Sequence, residues 1–153
     1  MASTPSPSTV SPALTISMTM AETIVLEIDG SPFPVELFSD RAPASCRAIL
    51  SQVPLADQII HARLSGPLCL LRRVNLADAP LENPVSFFDP GDIVYHPAHF
   101  DIGIAYGPTQ FRELAGTVYV SLVGRIGGDL SPLIATGRSL LRTGARPIFL
   151  RAA

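Results

Sequence analysis

The sequence predicts a mainly β fold, a closed antiparallel β-barrel with a helix over each end. Short runs that alternate apolar and polar residues recur along the chain, broken by turn signals such as Asp29-Gly30, Gly66-Pro67 and Asp89-Pro90-Gly91. Only two stretches carry helical periodicity, one after Asp40 and one after Ser131. Many short strands with so few helices favour closure, which leaves no exposed strand edge, and two amphipathic helices are the right number to plug two ends.

Each element has its own justification. Residues 1–20 are Ser, Thr and Pro with scattered apolar residues, the composition of a disordered tail, so the folded domain is expected to span 21–153. From Glu22 to Asp29, Ile24, Leu26 and Ile28 alternate with Thr23, Val25 and Glu27. Asp29-Gly30 makes the hairpin turn, and Phe33 to Phe38 returns. Ser39 and Asp40 offer helix caps, Pro43 suits the first turn, and Cys46, Ile49, Leu50 and Val53 form one apolar face that ends at Pro54. Gln58 to Ser65 reads as a strand, Leu68 to Leu71 as a short buried one, and 75–83 as a loop. Short strands follow at 85–88, 93–96 and 101–106, then a loop to Leu114 and a strand over 117–123. The second helix has Asp129 or Ser131 as cap, Pro132 in its first turn and Gly144 as stop, with Leu133, Ile134, Gly137, Leu140 and Leu141 on its apolar face. Arg146 to Arg151 is the last strand.

Composition narrows the function. The 153 residues suffice for one domain with a real core, and 47% are hydrophobic. The net charge of −2 gives no long-range attraction to nucleic acid or an anionic membrane, and no stretch is long enough to span a bilayer. No basic residue precedes Arg41, so a secretory signal is not expected and the cytoplasm is the expected location. All eleven basic residues are arginine, which excludes Schiff-base chemistry and a phosphate-loop lysine. Cys46 and Cys69 lie in apolar settings and read as reduced core thiols, not as a metal pair. No cofactor is expected.

The stretch Val35-Glu36-Leu37-Phe38-Ser39-Asp40-Arg41-Ala42-Pro43 and the apolar helix after it, preceded by Ile24 to Gly30, resembles the opening of a cyclophilin. The segments Pro90 to Pro97 and Ile104 to Gly107 resemble the small cyclophilin-like families of bacteria and archaea that carry no assigned function. The resemblance implies an eight-stranded cyclophilin-like β-barrel. In cyclophilins an arginine on an outward-facing strand donates hydrogen bonds to a twisting proline amide. The matching segment here is Ile60-His61-Ala62-Arg63-Leu64-Ser65-Gly66. With Gly66 and Cys69 set on the family's glycine and cysteine, Ala62 falls at the arginine's place, and a one-residue shift turns a side chain to the other face. Leu70, Leu71 and Arg72 stand where the family has Gln-Gly-Gly.

Arg63 and His61 are the candidate catalytic pair. Tyr95, His96, Tyr106, Gln110 and Phe111 are the candidate ligand-binding residues, as strand-end and loop groups at a barrel mouth. His96, His99 and Asp101 have the donor types for a divalent metal, but a polar turn is the expectation and no metal is assigned. Gly91 to Pro97 matches the spacing of the second cupin motif, while the first is absent. Gly124 to Gly128 precedes a helix and can receive an anion on its N–H groups, or serve only as a loop. Three functions remain. The leading one is binding or processing of a small amide-type metabolite, because cyclophilin-like domains occur in bacterial systems that act on lactams and ureas. The second is a prolyl isomerase acting on a peptide. The third is a non-catalytic interaction or assembly module, with a homo-oligomer left open.

Overall fold

The computed structural model describes residues 22–76 and 79–153, and the expected tail at 1–20 lies outside them. The strands are β1 (Glu22–Ile28), β2 (Ser31–Leu37), β3 (Leu55–His61), β4 (Leu68–Leu71), β5 (Pro84–Val85), β6 (Phe87–Phe88), β7 (Asp92–His96), β8 (Asp101–Ala105), β9 (Thr109–Gln110), β10 (Arg112–Glu113), β11 (Gly116–Thr117), β12 (Val120–Ile126) and β13 (Arg146–Ala152). The helices are α1 (Pro43–Gln52) and α2 (Ser131–Thr143). Eight strands pair antiparallel in the order β2-β1-β13-β3-β4-β8-β7-β12, and β12 pairs again with β2. The result is a closed eight-stranded barrel. Among the described residues no helix is long and apolar enough to cross a membrane.

The period of two decides what fills it. Ile24, Leu26 and Ile28 of β1, Val35 and Leu37 of β2, Ile102 and Ile104 of β8, and Ile148 and Leu150 of β13 share one interior cluster. Each full burial of such a side chain contributes about 1.5–3 kcal/mol. Cys46 and Ile49 of α1 join this cluster at one end, and Leu133 and Leu140 of α2 at the other. Both cysteines are free and buried, and burial raises Cys46 to a pKa of about 11 and Cys69 to about 12.

Closure depends on Gly124. A Cβ there would lie 2.7 Å from the Glu36 carbonyl oxygen and 3.2 Å from Val35 Cγ1, so β2 approaches β12 this closely only over a glycine. The ladder between β12 and β7 shifts register between Leu122 and Gly124, as a bulge does.

Three expectations need correction. The strand expected at Gln58 to Ser65 runs from Leu55 to His61, because Ala62 N–H already bonds Leu68 O at 2.8 Å and begins the turn. The strand expected over 117–123 is β12, from Val120 to Ile126. It is buried on both faces, inside through Val123 and outside through Val120 and Leu122, so strict alternation does not mark its ends. The outer face is covered by a second cluster in which Phe88 and Phe111 of the 84–118 segment pack on Leu68, Val94 and Ala105.

The third concerns α1. Ser39 and Asp40 do not cap it; Ala42 holds the N-cap position with no side-chain bond, and Ser39 Oγ donates instead to the Glu22 carboxylate. The cap comes from Glu82, thirty-seven residues beyond Ser45. Its carboxylate accepts Ser45 N–H at 2.8 Å, Ser45 Oγ–H at 2.9 Å and Ala44 N–H at 3.2 Å. Partial burial works against the charge, but these bonds and nearby Arg47 outweigh it and hold Glu82 below the ordinary value of 4.5. Ser45 is fully buried, so Glu82→Ala leaves its N–H and hydroxyl without this partner and should cost about 1–3 kcal/mol in a urea titration at neutral pH. A depressed folded pKa means the contribution is present above the unfolded value and lost as pH falls through the folded one. The gap between wild type and Glu82→Gln should therefore close on acidification below about pH 4.5, the unfolded value.

Candidate functional site

The turn after β3 separates two concavities. One lies at the barrel mouth under α2 and the other on the outer wall, and both are lined by His61, Ala62 and Arg63.

The mouth hollow has a volume of about 760 Å³. Its polar centre is the pair His61 and Tyr106. His61 ends β3, and Tyr106 follows β8 on the same interior face as Ile102 and Ile104. His61 Nε2 lies 2.6 Å from Tyr106 Oη, and His61 Nδ1 lies 2.7 Å from the Ala62 carbonyl oxygen. A carbonyl only accepts, so Nδ1 carries the proton, and Nε2 then accepts from the tyrosine hydroxyl. The rings meet edge to face, with centroids 5.6 Å apart. Burial and the neighbouring Cys69 raise the Tyr106 pKa, and Arg138 partly opposes them. The phenol is thus held neutral, as a donor.

α2 supplies the rest of this wall. Gly137 faces the Tyr106 ring so closely that a Cβ would meet ring carbons at 2.2–2.6 Å. Arg138 beside it, and Ile134 and Leu141 one turn to either side, line the hollow. Leu141 was expected on the buried face, yet it is exposed at this rim. Arg63 and Arg138 both border the hollow, and neither makes an ion pair among the described residues.

The outer-wall groove, about 450 Å³, runs from Arg63 past Ile60 and Leu70 to Arg72, Asp101 and His99. The β10–β11 hairpin forms its far side through Arg112, Glu113 and Leu114. Phe111 anchors that hairpin: it is buried in the outer cluster, and its ring meets His96 edge-on at 5.0 Å.

Of the residues singled out in the sequence, His61, Arg63 and Tyr106 come together at the mouth, while His96 and Phe111 meet at the groove. Gln110 joins neither group. It pairs with Phe87 and lines a separate depression with Leu64 and Pro108. Tyr95 does not reach either concavity. It is buried in the barrel interior, and its hydroxyl accepts Leu76 N–H at 3.2 Å. Arg63 lies beyond the end of β3 and not on a strand, since the turn has begun at Ala62. The glycine-rich stretch before α2 faces a carboxylate: Asp129 Oδ1 accepts Ser131 N–H at 3.0 Å, which occupies the place an anion would take. Sequence reasoning missed Arg138 and Glu113. The signal for Arg138 is its spacing, four residues from Ile134 and three from Leu141, which puts the three on one face. Glu113 had no local signal, because its partners come from a different hairpin.

Solved structures share the fold, among them the following two. McbB, solved in complex with tryptophan, superposes with a TM-score of 0.69 at 15% identity over 84% of this chain. The hypothetical protein AF2241 from Archaeoglobus fulgidus gives 0.63 at 18% identity over 87% of it. The chain covers 95% of AF2241 but 44% of McbB, so it spans less than half of the latter. At these identities the likeness is one of fold. No curated protein matches. Both helices and the barrel strands, apart from the first two residues of β1, fall within the match to the sequence profile of DUF3830, a protein family of unknown function, which takes in residues 24–152, and the chain belongs to that family.

Proposed function

We propose that this protein is a cyclophilin-like barrel that binds a small amide-type metabolite in the mouth hollow. The observation that carries this reading is the His61–Tyr106 pair, 2.6 Å apart, in a hollow bordered by two arginines that make no ion pair among the described residues. An amide offers a carbonyl acceptor and an N–H donor. Arg63 and Arg138 offer guanidinium donors, and Tyr106 Oη keeps a lone pair to accept. The volume falls in the range of small-ligand pockets, roughly 300–1,000 Å³. Leu141 and Ile134 offer apolar contact to the rest of the molecule. McbB, with the same fold, binds tryptophan, which supports a small-molecule role for the barrel. The shared proton between Tyr106 Oη and His61 Nε2 suits proton transfer to or from a bound amide.

A thermal-shift screen with lactams, ureas and N-acyl amino acids tests the reading. A ligand at a hundred times its Kd stabilises by about 2.7 kcal/mol, which is a rise in Tm of roughly 5–10 °C for a chain of this size. That rise should vanish in Arg63→Ala, an exposed change that leaves the core intact, and shrink in Tyr106→Phe. Shifts of equal size in both variants would place the ligand elsewhere. The outer-wall groove with Arg63 at its end supports the second reading, a prolyl isomerase. Rapid isomerisation of an X-Pro peptide, lost in Arg63→Ala but kept in Tyr106→Phe, would replace the first reading with that one.

A further inference from the structure

We propose that His96, His99 and Glu113 form a binding site for a divalent transition metal of the zinc class on the outer wall of the barrel. The proposal stands apart from the mouth hollow and its ligand.

The three residues come from two separate segments, and the fold brings their donor atoms to one point. His96 Nε2 lies 2.7 Å and His99 Nδ1 3.2 Å from the same carboxylate oxygen of Glu113, and one donor atom from each residue lies within 4.8 Å of the others. Two imidazoles and one carboxylate are a donor set that zinc-class ions take, with further positions left for water or substrate.

The site is built, not a chance meeting of surface groups. The His96 side chain is only 7% exposed. Its ring is held between the edge contact to Phe111 and a parallel stack on His99, with centroids 4.6 Å apart and planes 5° from parallel. Its Nδ1 has no hydrogen-bond partner among the described residues, so this buried ring makes its side-chain polar contact through Nε2, toward Glu113. His99 is set over His96 by the four-residue turn between β7 and β8. There His99 N–H and Phe100 N–H both bond His96 O, at 3.2 and 2.8 Å. Phe100 takes a φ of +60°, a conformation that costs a non-glycine residue about 1 kcal/mol or more. Glu113 is placed by the β10–β11 hairpin, which Ser65 ties down by accepting Arg112 N–H at 2.9 Å. His99 and Glu113 both line the outer-wall groove, so a bound ion has an approach from solvent and its remaining ligands come from the groove.

The chain simplifies the test. It has three histidines, and the third, His61, belongs to the mouth. Both cysteines are buried and do not compete for added metal. The untagged full-length protein, stripped with chelator, is dialysed against zinc chloride, and metal per chain is measured. Cobalt(II) gives an independent readout through its visible absorption, whose intensity reports the coordination number. We expect one ion per chain. Loss of an outer-shell partner alone costs a metal site about 10–100-fold in affinity, so His99→Ala and Glu113→Gln should each lose at least that much, and His61→Ala none. His99 is half exposed, so His99→Ala keeps the fold, and circular dichroism verifies it. Substoichiometric uptake, or uptake that His99→Ala leaves unchanged, overturns the proposal and makes the cluster a hydrogen-bonded triad.

Discussion

Tyr95→Ala is expected to lower the free energy of unfolding by about 3–5 kcal/mol, the cost of deleting a fully enclosed aromatic side chain. Tyr95 is among the largest completely buried side chains and sits in the interior cluster with Ile93, Ile102 and Val123. Its ring fills the barrel, so removal leaves a cavity that eight paired strands cannot collapse to fill. Its hydroxyl has a second task, because it accepts the N–H of Leu76, itself buried. Tyr95→Phe keeps the packing and isolates that N–H, for a loss of about 1–3 kcal/mol. Urea unfolding of both variants gives the two numbers. Neither should alter the affinity of a ligand seated at the mouth once measured well below Tm. A Tyr95→Phe protein of undiminished stability that no longer binds such a ligand would reverse the placement of this residue.

Gly137→Ala should destabilise by about 1–3 kcal/mol, the usual range for overpacking, although alanine alone is favoured over glycine inside a helix by about 1 kcal/mol. The two terms oppose each other, and geometry decides between them. A Cβ at 2.2 Å from Tyr106 Cδ1 overlaps the rigid ring near its root, not the far end of a flexible chain. Either α2 lifts from the mouth or Tyr106 rotates away from His61. The first opens the wall of the hollow that Ile134, Arg138 and Leu141 form, and the second breaks the 2.6 Å contact at its centre. The substitution should therefore remove ligand-induced stabilisation as well as stability. Tyr106→Ala in the Gly137→Ala background separates these effects. It makes room for the methyl group, so much of the steric penalty disappears, while binding stays lost. A Gly137→Ala protein more stable than wild type would show that the ring yields freely.

The barrel was legible because its strands obey local rules. The alternation in β1 and β2, the Asp29-Gly30 turn and the single apolar face around Cys46 and Ile49 each follow from what a few consecutive residues can bury. Gly144 was legible as a helix stop for the same reason, and its N–H bonds Leu140 O at the end of α2. Where a strand is buried on both faces, as β12 is, alternation no longer reports its ends.

The candidate site divides along the same line. His61, Arg63 and Tyr106 were visible as residue types with chemistry. That His61 and Tyr106, forty-five residues apart, meet in a hydrogen bond was decided by β3 and β8 lying either side of β4. Tyr95 and Tyr106 look alike in the sequence, both aromatic and both near the end of a short strand. One fills the barrel and the other borders its mouth, because depth along the barrel axis depends on strand stagger, which no local pattern encodes. The cap of α1 by Glu82 and the meeting of Glu113 with His96 and His99 are further cases. By itself the sequence determined which segments pair with water and which avoid it, and so the barrel and its two helices. The tertiary structure alone decided which polar groups meet, because a hydrogen bond between distant segments needs positions set within a few tenths of an ångström, and only closure of the whole sheet sets them.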